Sequence, residues 1–165
     1  MLYGLLMIKI ELSETECRLL QHIGILRYEQ TGRIAKEQIQ SKINPVQISI
    51  DGALSEYIVA KHFGLFFDIN CDYRKFGADL ISKTNMSIDV KSTRIENGAM
   101  SIRKQIDETR QRKYDIYVLV ELDGNNNGYI IGWIYGIDAI HESNIYQIEQ
   151  KEPYYKITRD KLTKF

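Results

Sequence analysis

The run Tyr114-Asp115-Ile116-Tyr117-Val118-Leu119-Val120-Glu121-Leu122 constrains this chain more than any other stretch. It is almost continuously apolar, the pattern of a central strand buried on both faces. A sheet built around it needs cover on both sides. The Asn125-Asn126-Asn127 run between Gly124 and Gly128 reads as a loop tip. Tyr129 to Gly136 then returns as a second strand, which predicts a hairpin.

Upstream, residues 5–12 read as a first strand. Ser13-x-x-Glu16 is a capping box, and Cys17, Leu20, Ile23 and Leu26/Arg27 follow it at helical spacing, predicting a helix over 14–29. Residues 30–40 are polar and suit a second short helix. Asn44-Pro45 punctuates the chain, and a helical pattern runs from Gln47 to Phe63, stopped by Gly64. Strands are expected at 66–70, at 79–82, at 86–91 and at 99–102, a charged helix over 103–112, a helical turn over 137–142, and a last edge strand at 154–158. The order gives an α/β fold of mixed α+β type on one sheet, a central mixed β-sheet flanked by helices.

The chain has 165 residues, enough for one domain spanning 1–165. A formal net charge of zero argues against a general nucleic-acid coat, so any such contact must come from a local basic patch. Cys17 and Cys71 form no CxxC or zinc pattern, which points to a reduced, cytoplasmic setting. The apolar start, Met1 to Ile10, is too short to span a bilayer and lacks signal-peptide features, so no membrane association is expected.

The chemistry-bearing residues lie between the second helix and the long strand. Side chains alternate along a strand, so in Ile88-Asp89-Val90-Lys91 the Asp and Lys share one face while Ile88 and Val90 face a core. Asp79, in Gly77-Ala78-Asp79-Leu80, lies on the preceding strand across a short polar turn. Glu56 has apolar helical neighbours, Ala53, Val59, Ala60 and Phe63, so it sits on a face that favours burial and needs a partner. Three carboxylates and a lysine suit Mg²⁺ or Mn²⁺: Asp79 and Asp89 as direct ligands, the Val90 carbonyl as a third oxygen, Glu56 direct or through water. Such a metal acidifies a bound water, with Lys91 orienting or deprotonating it or offsetting charge on a phosphate.

This pattern resembles the PD-(D/E)XK nuclease superfamily. The resemblance covers roughly residues 47–136 and rests on Glu56 in Gly52-Ala53-Leu54-Ser55-Glu56-Tyr57-Ile58-Val59-Ala60, on Gly77-Ala78-Asp79-Leu80, and on Ile88-Asp89-Val90-Lys91. It implies a restriction-endonuclease-like αβββαβ core at 47–136, with a strand-helix extension at 1–45 and edge elements at 137–165. It also implies metal-dependent cleavage of DNA, with Asp79, Asp89 and Lys91 in the motif positions and Glu56 as the helix acid. The chain departs from the family in having Ala78 where a proline is usual, and an Asp rather than a Glu as the middle acid.

Arg94, Arg103, Lys104, Arg110, Arg112 and Lys113 form a basic stretch after the motif and are candidate phosphate contacts, as are Arg74 and Lys75 in the preceding loop. A solvated helix face paired with Asp107 and Glu108 reads equally well from the same charges. Asp115 is either a support for the site or a cap at the strand start. The expected activity is that of a Mg²⁺-dependent endonuclease acting on DNA, with a phage, mobile-element, restriction or repair role. The alternatives are an RNA-directed nuclease and an inactive nuclease-like fold that binds DNA or a protein. A homodimer would suit an enzyme that cuts both strands.

Overall fold

The computed structural model describes residues 7–32, 44–72 and 77–165, with the side chains of 31 and 32 also left aside. Arg74, Lys75 and the short helix expected within 30–40 therefore fall wholly or largely outside the described residues.

The domain is mixed α+β. Strand β1 (Ile8–Glu11) leads into helix α1 (Glu14–Gly32), and helix α2 spans Pro45–Phe63. The capping box closes both ways: the Ser13 amide donates to Glu16 Oε2 at 2.7 Å, and the Glu16 amide to Ser13 Oγ at 3.2 Å. Helix α2 starts two residues earlier than its apolar pattern suggests. Asn44 accepts from the Val46 amide and Pro45 takes the first turn, where no amide is needed. Gly64 ends it in the left-handed conformation, φ +62°.

Five strands form the main sheet in the order β1-β6-β5-β3-β2, with β2 at Leu80–Ile81, β3 at Ser87–Thr93, β5 at Ile116–Leu122 and β6 at Asn127–Tyr135. Strands β5 and β6 make the expected antiparallel hairpin, while β3 and β5 run parallel, with Asp89 opposite Tyr117 and Lys91 opposite Leu119. A second sheet, absent from the sequence expectation, has the order β4-β8-β7: β4 (Met100–Arg103), β8 (Tyr154–Ile157) and β7 (Ile145–Tyr146). The 99–102 strand thus pairs with β8 and not with the motif strands. The 154–158 segment is the centre of that sheet rather than an edge. Helix α3 (Gly136–Ala139) supplies the expected turn.

The three layers follow from side-chain alternation. Ile88, Val90, Val118, Val120 and Ile130 face α1 and α2, against Leu20, Ile23, Ala53, Ile58 and Val59. Tyr117, Leu119, Ile131 and Ile134 face the other way, against Met100, Ile102, Tyr155 and Ile157 of the second sheet. The long strand is covered on both faces as its composition requires, with Tyr117 to Val120 buried.

Two other expectations fail for local reasons. Residues 66–70 form no strand: Asp68 accepts from the Asn70 amide and Asn70 from the Asp72 amide, successive side-chain turns that divert the backbone from pairing. Residues 103–112 form only a single 3₁₀ turn, Glu108–Arg110. Ile106, the one apolar residue between Arg103 and Arg112, is 85% exposed, so a helix there would have no face to bury.

Candidate active site

Glu56, Asp79 and Asp89 line one cavity of about 320 Å³ at the β2 edge of the main sheet, together with Arg27, Cys71, Arg112 and Tyr114. Helix α2 supplies Glu56. The bend entering β2 supplies Asp79, and the sheet-buried centre of β3 supplies Asp89. The strand pair sets the spacing of the last two. The Asp79 amide donates to the Ile88 carbonyl at 3.0 Å, and Asp79 Oδ2 accepts from the Val90 amide at 2.7 Å. Main-chain Val90 thus reaches Asp79 through its N–H.

The charges are arranged in opposed pairs. Lys91 Nζ lies 2.5 Å from Asp89 Oδ2, on the shared face expected from alternation. The direction of approach is not that of a hydrogen bond, so this buried oxygen has ion-pair contact but no directed donor. Arg27 Nη1 donates to Glu56 Oε2 at 2.7 Å, and its Nη2 to the Asp68 carbonyl at 2.9 Å. The same guanidinium lies 5.5 Å from the Phe67 ring centroid. Burial of the Asp79 carboxyl, reinforced by Glu56 and Asp89 nearby and only partly offset by the Val90 amide and Lys91, pushes it up to about 7. Among the described residues no three His, Cys, Asp or Glu side chains are gathered tightly enough to ligate one metal.

Arg27 is the residue that sequence reasoning missed. It belongs to α1, outside the motif region, and its partner is 29 positions away. The only signal was Glu56 itself, an acid on an apolar face that needed a cation.

The remaining candidates separate in space. Arg103 and Lys91 line a neighbouring cavity, of about 390 Å³, that also touches Asp89, Arg112 and Tyr114. Lys104 lies 3.9 Å from Glu108. Arg94 is committed to Asp51, with Nε and Nη2 each at 2.7 Å from its carboxylate oxygens. It lines a different cavity, beside Gln47 and Asn127. Asp115 proves to be a clamp at the strand start, where Oδ2 accepts from both the amide and the hydroxyl of Ser87 at 2.7 Å.

The sequence matches no protein-family model and no curated protein. No helix among the described residues is long and apolar enough to cross a membrane.

Proposed function

We propose that this protein is a metal-dependent nuclease of the PD-(D/E)XK kind that hydrolyses phosphodiester bonds in DNA. One observation carries the reading: Glu56, Asp79 and Asp89, the three acids of the motif pattern, line a single cavity, with Lys91 against Asp89. The residues present fit Mg²⁺ or Mn²⁺. The donors are hard oxygens, and one buried Asp89 oxygen has no hydrogen-bond donor. Mg²⁺ needs only one or two carboxylates because it keeps several waters, so a three-acid cluster is not required. Asp79 and Asp89 would hold the ion, with Glu56 and the Val90 carbonyl as further oxygens. When bound, the metal supplies an acidified water and offsets charge on the phosphate.

Lys91 keeps its ammonium at the rim of Asp89, where it can orient the attacking water or face a phosphate oxygen. Val90 holds Asp79 by its amide, so that carboxylate enters the cavity already oriented. The reading includes a cytoplasmic setting, where Cys17 and Cys71 persist as free thiols. It also includes a homodimer for cutting both strands.

Cleavage of plasmid DNA with Mg²⁺, with Mn²⁺ and with EDTA, set beside an RNA of matched length, tests the proposal. Metal-dependent product from the natural chain, lost in Asp89→Ala and reduced at least a hundredfold in Lys91→Ala, is expected. Undiminished cleavage in both variants would sink it. The Arg27–Glu56 pair favours a second reading, a nuclease-like fold that binds DNA without cutting, because the helix acid already has a cation. That reading expects salt-sensitive binding and no product.

A further inference from the structure

We propose that the cavity on the β4 side of the acid site seats a backbone phosphate of bound DNA, adjacent to the phosphate that is attacked. The inference rests on the nucleic-acid reading above and adds to it a binding site that sets Arg103 and Arg112 beside the motif residues Asp89 and Lys91.

The cavity is separate from the acid pocket but shares a wall with it: Asp89, Arg112 and Tyr114 line both. A strand with one phosphate at the acids would continue past that wall. Charge favours an anion. Lys91, Arg103 and Arg112 line the cavity, and Asp89, already paired with Lys91, is its one carboxylate. Gln105, Gln111, Tyr114 and Tyr117 complete a polar lining; the Gln111 side-chain amide and both hydroxyls donate to backbone carbonyls, so they frame the cavity and leave the phosphate contact to the cations.

The cradle is also built rather than loosely assembled. Gln111 ties its two sides together. Its Oε1 accepts from the Gln105 amide at 2.8 Å, and its Nε2 donates to the Arg103 carbonyl at 3.2 Å and the Arg112 carbonyl at 3.4 Å. The Tyr117 hydroxyl donates to the same Arg112 carbonyl at 3.2 Å. Tyr114 donates to the Gly77 carbonyl at 3.1 Å, fixing the shared wall to the segment that carries Asp79. The Arg103 side chain is 53% exposed, and its pair with Glu152, at 3.6 Å, lies at the surface. The 3₁₀ turn at Glu108–Arg110, in place of a helix, lets Gln111 fold back and close this cradle.

The test is fluorescence anisotropy of a labelled DNA duplex against salt, in EDTA so that no cleavage intervenes. Arg103→Ala and Arg112→Ala should each weaken binding about tenfold and lower the slope of log K against log salt by about one. Gln111→Ala removes no charge, so it should weaken binding with the slope unchanged, which separates cradle-building from phosphate contact. Arg18→Ala, at an exposed arginine of α1 paired with Glu14 and away from the cavity, should alter neither. Arg112→Gln keeps a hydrogen-bonding side chain and guards against misfolding. If the natural chain binds DNA but Arg103→Ala, Arg112→Ala and Arg112→Gln all keep its slope, the phosphate seat is wrong and the nuclease reading stands. A natural chain that binds DNA neither in EDTA nor with Ca²⁺ in place of Mg²⁺ overturns both.

Discussion

Asp79 pays the electrostatic cost of the site. Burial, and then Glu56 and Asp89, push its carboxyl from the ordinary 3.8 up to about 7. Between those pH values the folded chain holds a proton that the unfolded chain has released. Folding therefore takes up a proton, and stability falls as pH rises from about 4 to about 7, then levels. At about 1.4 kcal/mol per pH unit the fall is at most about 4 kcal/mol. Urea unfolding at pH 4 and pH 8 should show Asp79→Asn free of most of this fall and more stable than the natural chain at pH 8 only. Equal pH dependence in the two chains would contradict the assignment. Asp89 and Lys91 were legible in the sequence because side chains alternate along an extended strand, and Asp79 because only a short turn separates its segment from that strand. Arg27 was not, because the pairing of a helix arginine with an acid 29 residues on is decided by how two helices cross.

That crossing is set by α1 and α2. Gly24 lies against the α2 backbone, where an added Cβ would come within 2.5 Å of Ile50 Cα. A helix backbone cannot yield as a side-chain tip can, so Gly24→Ala should push the helices apart and cost about 2–3 kcal/mol in urea unfolding. Lys61 and Tyr57 of α2 both reach Glu16 of α1 at 2.7 Å, and the Lys61 ammonium holds the Glu16 carboxyl down at about 2. Arg27 completes the seam at the site end. With Arg27 20% exposed and Glu56 14%, Arg27→Ala would remove an ion pair from a mostly buried carboxylate near Asp79 and Asp89 and cost about 3 kcal/mol. The double variant Arg27→Ala, Glu56→Gln should recover most of that loss, and the cycle measures how much. In the interior of α2, the Ser55 hydroxyl is fully buried with no hydrogen-bond partner. Ser55→Ala should gain about 1 kcal/mol by removing it. The helices themselves were readable from caps and periodicity. The missing helix at 103–112 was misread because charges at helical spacing resemble a solvated face, while a helix needs an apolar face to be held.

At the scale of the whole molecule, a metal that binds the folded site alone must stabilise the fold. At a hundredfold excess over its Kd the gain is about 2.7 kcal/mol. Mg²⁺ or Mn²⁺ should raise the melting temperature of the natural chain and leave that of Asp89→Ala unmoved, read by calorimetry. An equal response in both would place the metal elsewhere. The second sheet was the least legible part, because β4 and β8 are short and their pairing, Met100 with Ile157 and Arg103 with Tyr154, spans more than fifty positions. Nothing within either segment announces the other. That pairing has a consequence for synthesis. The acids are all present once residue 89 has been made, but Arg103 is held by a strand whose partner is not made until residues 154–157. A growing chain therefore carries its acids from residue 89 onward without the paired strand beside them until residue 154 has been made. On the proposed nuclease reading, the phosphate seat beside the acids is complete only once residues 154–157 have paired with β4.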